Sequence, residues 1–229
     1  MSQRNDATDS TAAANRALLD ELSWEDRQDF ENAARGFIAS LDDPVIRDKT
    51  GRPVWDLNAF AFLEQEEAPT TVNPSLWRQS RLLALYHGLF QVTEGVYQIR
   101  GFDLSVMSIV ESDNGYVVID PMITVPTAAA GMELVYRHIG RKPIKAVIYT
   151  HSHVDHWGGV KGVISEADVQ TGKVKVLAPQ GFLEHAISEN VITGNVMSRR
   201  ASYMYGNLLP RDPKGQVGAG LGQTTSSGA

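Results

Sequence analysis

Cysteine is missing altogether from the 229 residues of this chain. Disulfides and thiolate metal ligands are thereby excluded, and any metal must be held by nitrogen and oxygen. Long apolar runs are missing too, and the N-terminal stretch MSQRNDATDSTAAANRALLDEL has neither the basic start nor the apolar core of a secretory signal. A cytoplasmic location away from membranes is the resulting expectation. There is no excess of positive charge either: the formal net charge is -6, so nothing favours a polyanionic partner and nucleic-acid binding is not expected. No internal repeat occurs. What remains has a globular composition, 42% hydrophobic and 21% charged, in a chain long enough to bury a substantial core.

Residues 1–22 are polar and suit a mobile arm or a loosely docked helix. Ser23 and Asp26 resemble a cap, and Phe30, Ala33, Ala34, Phe37, Ile38 and Leu41 then recur at helical spacing, which predicts one amphipathic helix. After Pro69 and Pro74, Ser75 is available to cap a helix bearing Leu76, Leu82, Leu83 and Leu85, with Trp55 and Trp77 as packing residues. From about Phe90 the period changes. FQV, VYQIR, VMSIVES and YVVID read as strands, and Asn114-Gly115 suits a tight turn with positive φ, so Met107 to Asp120 is expected to be a hairpin. VPTAAAGMELVYRHIG supplies a helix stopped by Gly140, IKAVIYT a buried strand, KVKVLAP another strand, and Pro179 the opening of a further helix.

This order places THSHVDHWGG just past the carboxyl end of a strand, where α/β folds carry their sites. Three of the six histidines fall there, with an aspartate. Alternate residues of an extended segment project to one side, so His151, His153 and Asp155 converge if the chain stays extended, and His156 joins them as it turns. Imidazole and carboxylate without sulfur favour zinc first, with iron or manganese open and a pair of ions credible. A solvated polar loop is the bland alternative, disfavoured because crowded imidazoles are costly if they protonate together. His87, His138 and His185 sit singly in helical surroundings and read as ordinary, partly exposed residues.

THSHVDHWGG resembles the His-x-His-x-Asp-His motif of the metallo-β-lactamase superfamily, which implies an α/β fold, the αββα sandwich with a one- or two-metal site at one edge of its sheets. TVNPSLWRQSRL, GLFQVTEGVYQIRGFDLS, VVIDPM, AVIYTHSHVDHWGGVKGV and RRASYMYGNLLP together resemble its alkylsulfatase branch, from about Phe37 to the C-terminus. The resemblance implies zinc, with His151 and His153 on one ion and Asp155 and His156 on the other, and alkyl sulfate esters as substrates. Asp120 matches a position that supports the ligands without touching metal, a structural loop carboxylate being the other reading. Residues 1–22 then form an arm, 23–88 a helical segment packing on the catalytic domain, and 89–229 the N-terminal part of the metallo-β-lactamase-like domain.

Members of that branch are expected to run well beyond this chain, supplying two further glutamates, another histidine, a helical dimerisation domain and a C-terminal domain similar to sterol carrier proteins. His185 falls too early to match, and Glu184 and Glu189 read as surface charges on a helix. The expectation is an N-terminal portion of an alkylsulfatase, its sandwich incomplete at the C-terminus, with half of a binuclear site, weak zinc binding and no sulfatase activity alone. Homodimerisation belongs to the full-length family. Arg199, Arg200 and the nearby tyrosines could face a sulfate ester, but the preferred reading buries the aromatics and leaves the arginines in water, so no catalytic or substrate-binding side chain is assigned. Two rivals keep the cluster: a thioesterase, lactonase or glyoxalase type of hydrolase, and a non-catalytic metal-binding module.

Overall fold

Residues 4–225 are described in a computed structural model. The polar start is helical, α1 (Asp9–Glu21), but buries only Ala12. It is tied down by polar contacts: Asn15 Nδ2 donates to the Thr70 carbonyl at 2.9 Å, and Arg4 and Asp6 pair with Asp212 and Lys214.

The next helix is shorter than its apolar spacing predicts. α2 (Gln28–Ala34) ends at Gly36, which has φ 76°, and Phe37 enters the strand β1 (Phe37–Ala39). There Phe37 pairs with Phe90, their rings 5.4 Å apart, so a strand partner overrides a pattern that also fits a helix. The cap position is Arg27, which makes no side-chain cap bond, and Asp26 Oδ1 accepts the Gln28 N–H at 2.9 Å from one residue before it. A small ribbon, β2 (Val45–Arg47) with β3 (Pro53–Asp56), was not legible as strands. It carries Trp55, which is buried and donates to the Gly101 carbonyl. α3 (Pro74–Leu85) is capped by Asn73, whose Oδ1 accepts from Ser75 N at 2.9 Å, with Pro74 in the first turn.

Five strands then follow as expected in order: β4 (Gly88–Thr93), β5 (Val96–Arg100), β6 (Met107–Ser112), β7 (Gly115–Ile119) and, after α4 (Val125–His138), β8 (Ile144–Ile148). In the β6–β7 hairpin Ser112 pairs with Gly115, so the loop is Asp113-Asn114, one residue earlier than predicted, and neither has positive φ. α5 (Glu166–Gln170) leads to β9 (Lys175–Leu177), completing one sheet in the order β1-β4-β5-β6-β7-β8-β9. β7, β8 and β9 run parallel, and the others pair antiparallel. α4 covers the sheet, packing Met132, Leu134 and Val135 against Ile99, Met107, Ile109, Val118 and Val147. Burial of such side chains contributes roughly 1.5–3 kcal/mol each. A second cluster joins Phe60, Leu63, Val72 and Trp77 to Val217, so the Gly-rich end of the chain is partly buried rather than structureless.

α6 starts at Phe182 rather than Pro179 (Phe182–Ile187), and α7 spans Gly194–Tyr205. Large apolar side chains on and around these helices are uncovered: Leu183, Val191, Ile192, Tyr203 and Leu208 are 71–93% exposed. A central sheet covered by helices is the α/β class expected from the sequence. Among the described residues no helix is long and apolar enough to cross a membrane.

Candidate metal centre

Two parallel strands deliver the site. β7 ends in a tight bend in which Asp120 and Met122, on either side of Pro121, have φ of 54° and 61°. Left-handed backbone at residues with side chains costs of order 1–3 kcal/mol each and persists only where the surroundings enforce it. Here Asp120 N donates to the Ile148 carbonyl at 3.0 Å, Met122 N to that of Asp120 at 2.9 Å, and Gly159 N to that of Met122 at 2.8 Å. β8 passes through Tyr149 to Thr150, whose N–H and Oγ1–H both donate to the Asp120 carboxylate, at 2.8 and 2.7 Å.

The predicted extended projection does not hold, since the chain bends at His151 and Ser152 before an extended His153. Val154–His156 forms a 3₁₀ turn, with His156 N donating to the His153 carbonyl at 3.0 Å, so a turn and not strand alternation brings Asp155 and His156 back toward His151. Trp157 Nε1 donates to the Ser152 carbonyl at 2.9 Å, and Ser105 Oγ donates to that of Asp155. The loop is therefore fastened from both sides.

All four sequence-predicted donors lie in one cluster. The His151 ring centroid is 4.0 Å from that of His156 and 4.6 Å from that of His153. His156 Nε2 is 3.3 Å from Asp155 Oδ2, and its Nδ1 is 2.8 Å from Asp120 Oδ2. Asp120 is 7% exposed and thus touches a candidate ligand from behind. Burial, then the neighbouring imidazoles of His156 and His153, holds His151 below the ordinary imidazole pKa, which favours the neutral form that can ligate.

Among the described residues, no three His, Asp or Glu side chains are posed to hold an ion together. The donor chemistry nonetheless fits one. Thr150 Oγ1, its proton given to Asp120, accepts from His151 Nδ1 at 2.9 Å, and this leaves Nε2 of that ring free. His156 likewise has one nitrogen held by a carboxylate and the other beside Asp155. Metal-binding histidines commonly have one ring nitrogen oriented by such a partner.

A cleft of about 800 Å³ opens beside the cluster, lined by His153 and Asp155 and, along one wall, by Leu104, Val154, Met197, Ala201 and Met204. Arg200 lines it too. The preferred sequence reading of this helix is corrected: α7 has no buried residue, and Tyr203 is 93% exposed rather than in the core. Glu189 is corrected as well. It is no free surface charge, since its Oε1 lies 2.9 Å from His153 Nε2. His87 is half-buried against Ser40, and His138 and His185 are exposed, away from the cluster.

Residues 100–225 match the model of the metallo-beta-lactamase superfamily. The chain is 58% identical over 223 residues to a linear primary-alkylsulfatase of Pseudomonas sp, covering 97% of this chain and 33% of the relative. It is 48% identical over 219 residues to the alkyl/aryl-sulfatase BDS1 of Saccharomyces cerevisiae, covering 96% and 34%. The solved structure of the stereoselective inverting sec-alkylsulfatase Pisa1 from Pseudomonas sp. superposes with a TM-score of 0.93 at 47% identity, over 99% of this chain and 36% of that one. The chain spans about a third of the length of the curated relatives it matches.

Proposed function

Because the chain belongs to the metallo-beta-lactamase superfamily, we propose that the polypeptide carrying it hydrolyses alkyl sulfate esters to alcohol and inorganic sulfate, with His151, His153, Asp155 and His156 holding zinc. One observation carries this reading: His153 and Asp155, two members of the four-donor cluster, line the same cleft as an apolar wall. It is supported by relatives named as alkylsulfatases.

A divalent ion held there supplies Lewis acidity and lowers the pKa of water by several units. The chain's own residues bind and orient. Asp120 fixes the His156 ring and, through Thr150, the turn of the loop. Leu104, Val154, Met197, Ala201 and Met204 offer apolar wall to an alkyl chain, at about 0.8 kcal/mol per methylene buried. Arg200 gives that cleft a cation, and no carboxylate among the described residues forms an ion pair with it.

The test is sulfate release from dodecyl sulfate by the whole polypeptide, followed by ion chromatography. Release that is lost on chelation, restored by zinc and absent from a His151→Ala, His153→Ala variant is expected. Turnover of a thioester or lactone with none of dodecyl sulfate would instead favour the rival hydrolases. The 229-residue chain alone, in which no three of the described His, Asp and Glu side chains are posed to hold an ion together, is expected to bind zinc weakly and to release no sulfate.

A further inference from the structure

Between α6 and α7 the chain makes a π-helical turn, Ser188–Ile192, in which Thr193 N donates to the Ser188 carbonyl at 3.0 Å. A π turn pushes one residue more than usual out of the helical path and recurs at functional sites. This one carries Glu189 and Asn190 onto the histidine loop. Asn190 Nδ2 donates to the carbonyls of Ala186 and Ser152, at 2.8 and 3.4 Å. Ser152 Oγ donates to Glu189 Oε2 at 3.1 Å, and Glu189 Oε1 lies 2.9 Å from His153 Nε2.

A carboxylate accepts and does not donate, so a neutral His153 ring paired with Glu189 through this contact carries its proton on Nε2 and its lone pair on Nδ1. Among the described residues nothing hydrogen-bonds that Nδ1. The pattern repeats that of His156, where Asp120 holds Nδ1 and Nε2 faces Asp155. Each ring thus has one nitrogen fixed from behind by a carboxylate that is not among the four proposed ligands. The two carboxylates come from different places in the chain, one from the end of β7 and one from the π turn.

We propose that Glu189 is a positioning residue of the metal centre, which accepts the His153 Nε2–H and so presents Nδ1 of that ring to the metal. The inference rests on the metal reading above. It goes further by adding a residue that the His-x-His-x-Asp-His motif does not contain.

Two measurements on the 229-residue chain test it. Long-range proton–nitrogen NMR of the metal-free chain is expected to show His153 with its proton on Nε2, and Glu189→Ala to lose that preference. Titration with cobalt(II), read from its visible absorption, is expected to show affinity falling about 10–100-fold in Glu189→Ala. The band positions should persist because the ligands are unchanged. Glu189→Gln, which keeps an acceptor oxygen, should recover part of the affinity, while Glu184→Ala on the neighbouring exposed helix should change nothing. A proton on Nδ1 of wild-type His153, or equal cobalt affinity in wild type and Glu189→Ala, overturns the proposal. Shifted bands in Glu189→Ala overturn it in favour of direct ligation by Glu189. Failure of the wild-type chain to take up cobalt at all overturns instead the metal reading beneath it.

Discussion

Asp120 Oδ2 stands 2.8 Å from His156 Nδ1 while Oδ1 of the same carboxylate accepts the backbone N–H of Thr150, also at 2.8 Å. One buried side chain therefore joins the end of β7, the end of β8 and a candidate metal ligand. Its backbone is left-handed, so the bend that aims the carboxylate is itself held by neighbours.

Removing this carboxylate should cost both stability and metal affinity. Asp120→Ala hands the exposed Thr150 N–H and hydroxyl to water, a loss of about 0.5–1.5 kcal/mol, and frees the His156 ring, weakening zinc binding about 10–100-fold. Asp120→Asn keeps an oxygen for Thr150 and should fall between wild type and Ala. Urea unfolding and zinc titration on the same preparations check this. Stability within experimental error of wild type in Asp120→Ala would reduce Asp120 to an ordinary loop carboxylate.

The relation between Asp120 and the cluster was open in the sequence because it is local in the fold's grammar. A strand, a helix from Val125 and a second parallel strand bring two carboxyl ends side by side, and both periodicity and motif report that order. Glu189 was not legible. Its contact depends on a π turn, which no apolar pattern encodes, and on the closure of a long segment onto residues 152–153. Ser105 was missed for the same reason, since its bond to the Asp155 carbonyl is made across the fold. Phe37 and Ile38 fit a helical stripe and a strand equally well, and only the partner β4 decides between them. Asn73 outcompeted Ser75 as the cap because Pro74 belongs in a first helical turn, which puts the cap one residue before it.

Gly159 is where the bend at Pro121 touches the histidine loop, and a side chain there should be resisted. A Cβ would overlap the Pro121 carbonyl oxygen and stand 2.6 Å from that of Thr124 and 3.0 Å from Ala128 Cβ. Backbone on two sides cannot rotate away, so Gly159→Ala should destabilise by about 1–3 kcal/mol, as overpacking does. Gly194→Ala, at a position with nothing within 4 Å, should stay within about 1 kcal/mol of wild type. Paired thermal melts compare the two, and equal melting temperatures would mean that the loop does not need this close approach.

Acid should weaken the fold before its carboxylates titrate. Burial holds His87 below its ordinary pKa of 6.5, with Nδ1 2.8 Å from Ser40 Oγ. A histidine whose folded pKa is depressed binds its proton more readily in the unfolded chain. Its contribution is therefore fully present above pH 6.5 and shrinks as pH falls from there through the folded value. Carboxylates with ordinary unfolded pKa values contribute their own losses only below about pH 5. His151 is shifted in the same direction, so the two must be separated. His87→Gln removes one of them, and urea midpoints taken between pH 7 and pH 5 should fall less steeply in that variant than in wild type. An unchanged slope would assign the whole acid sensitivity of this range to the histidine cluster and none of it to the contact between β4 and the chain after β1.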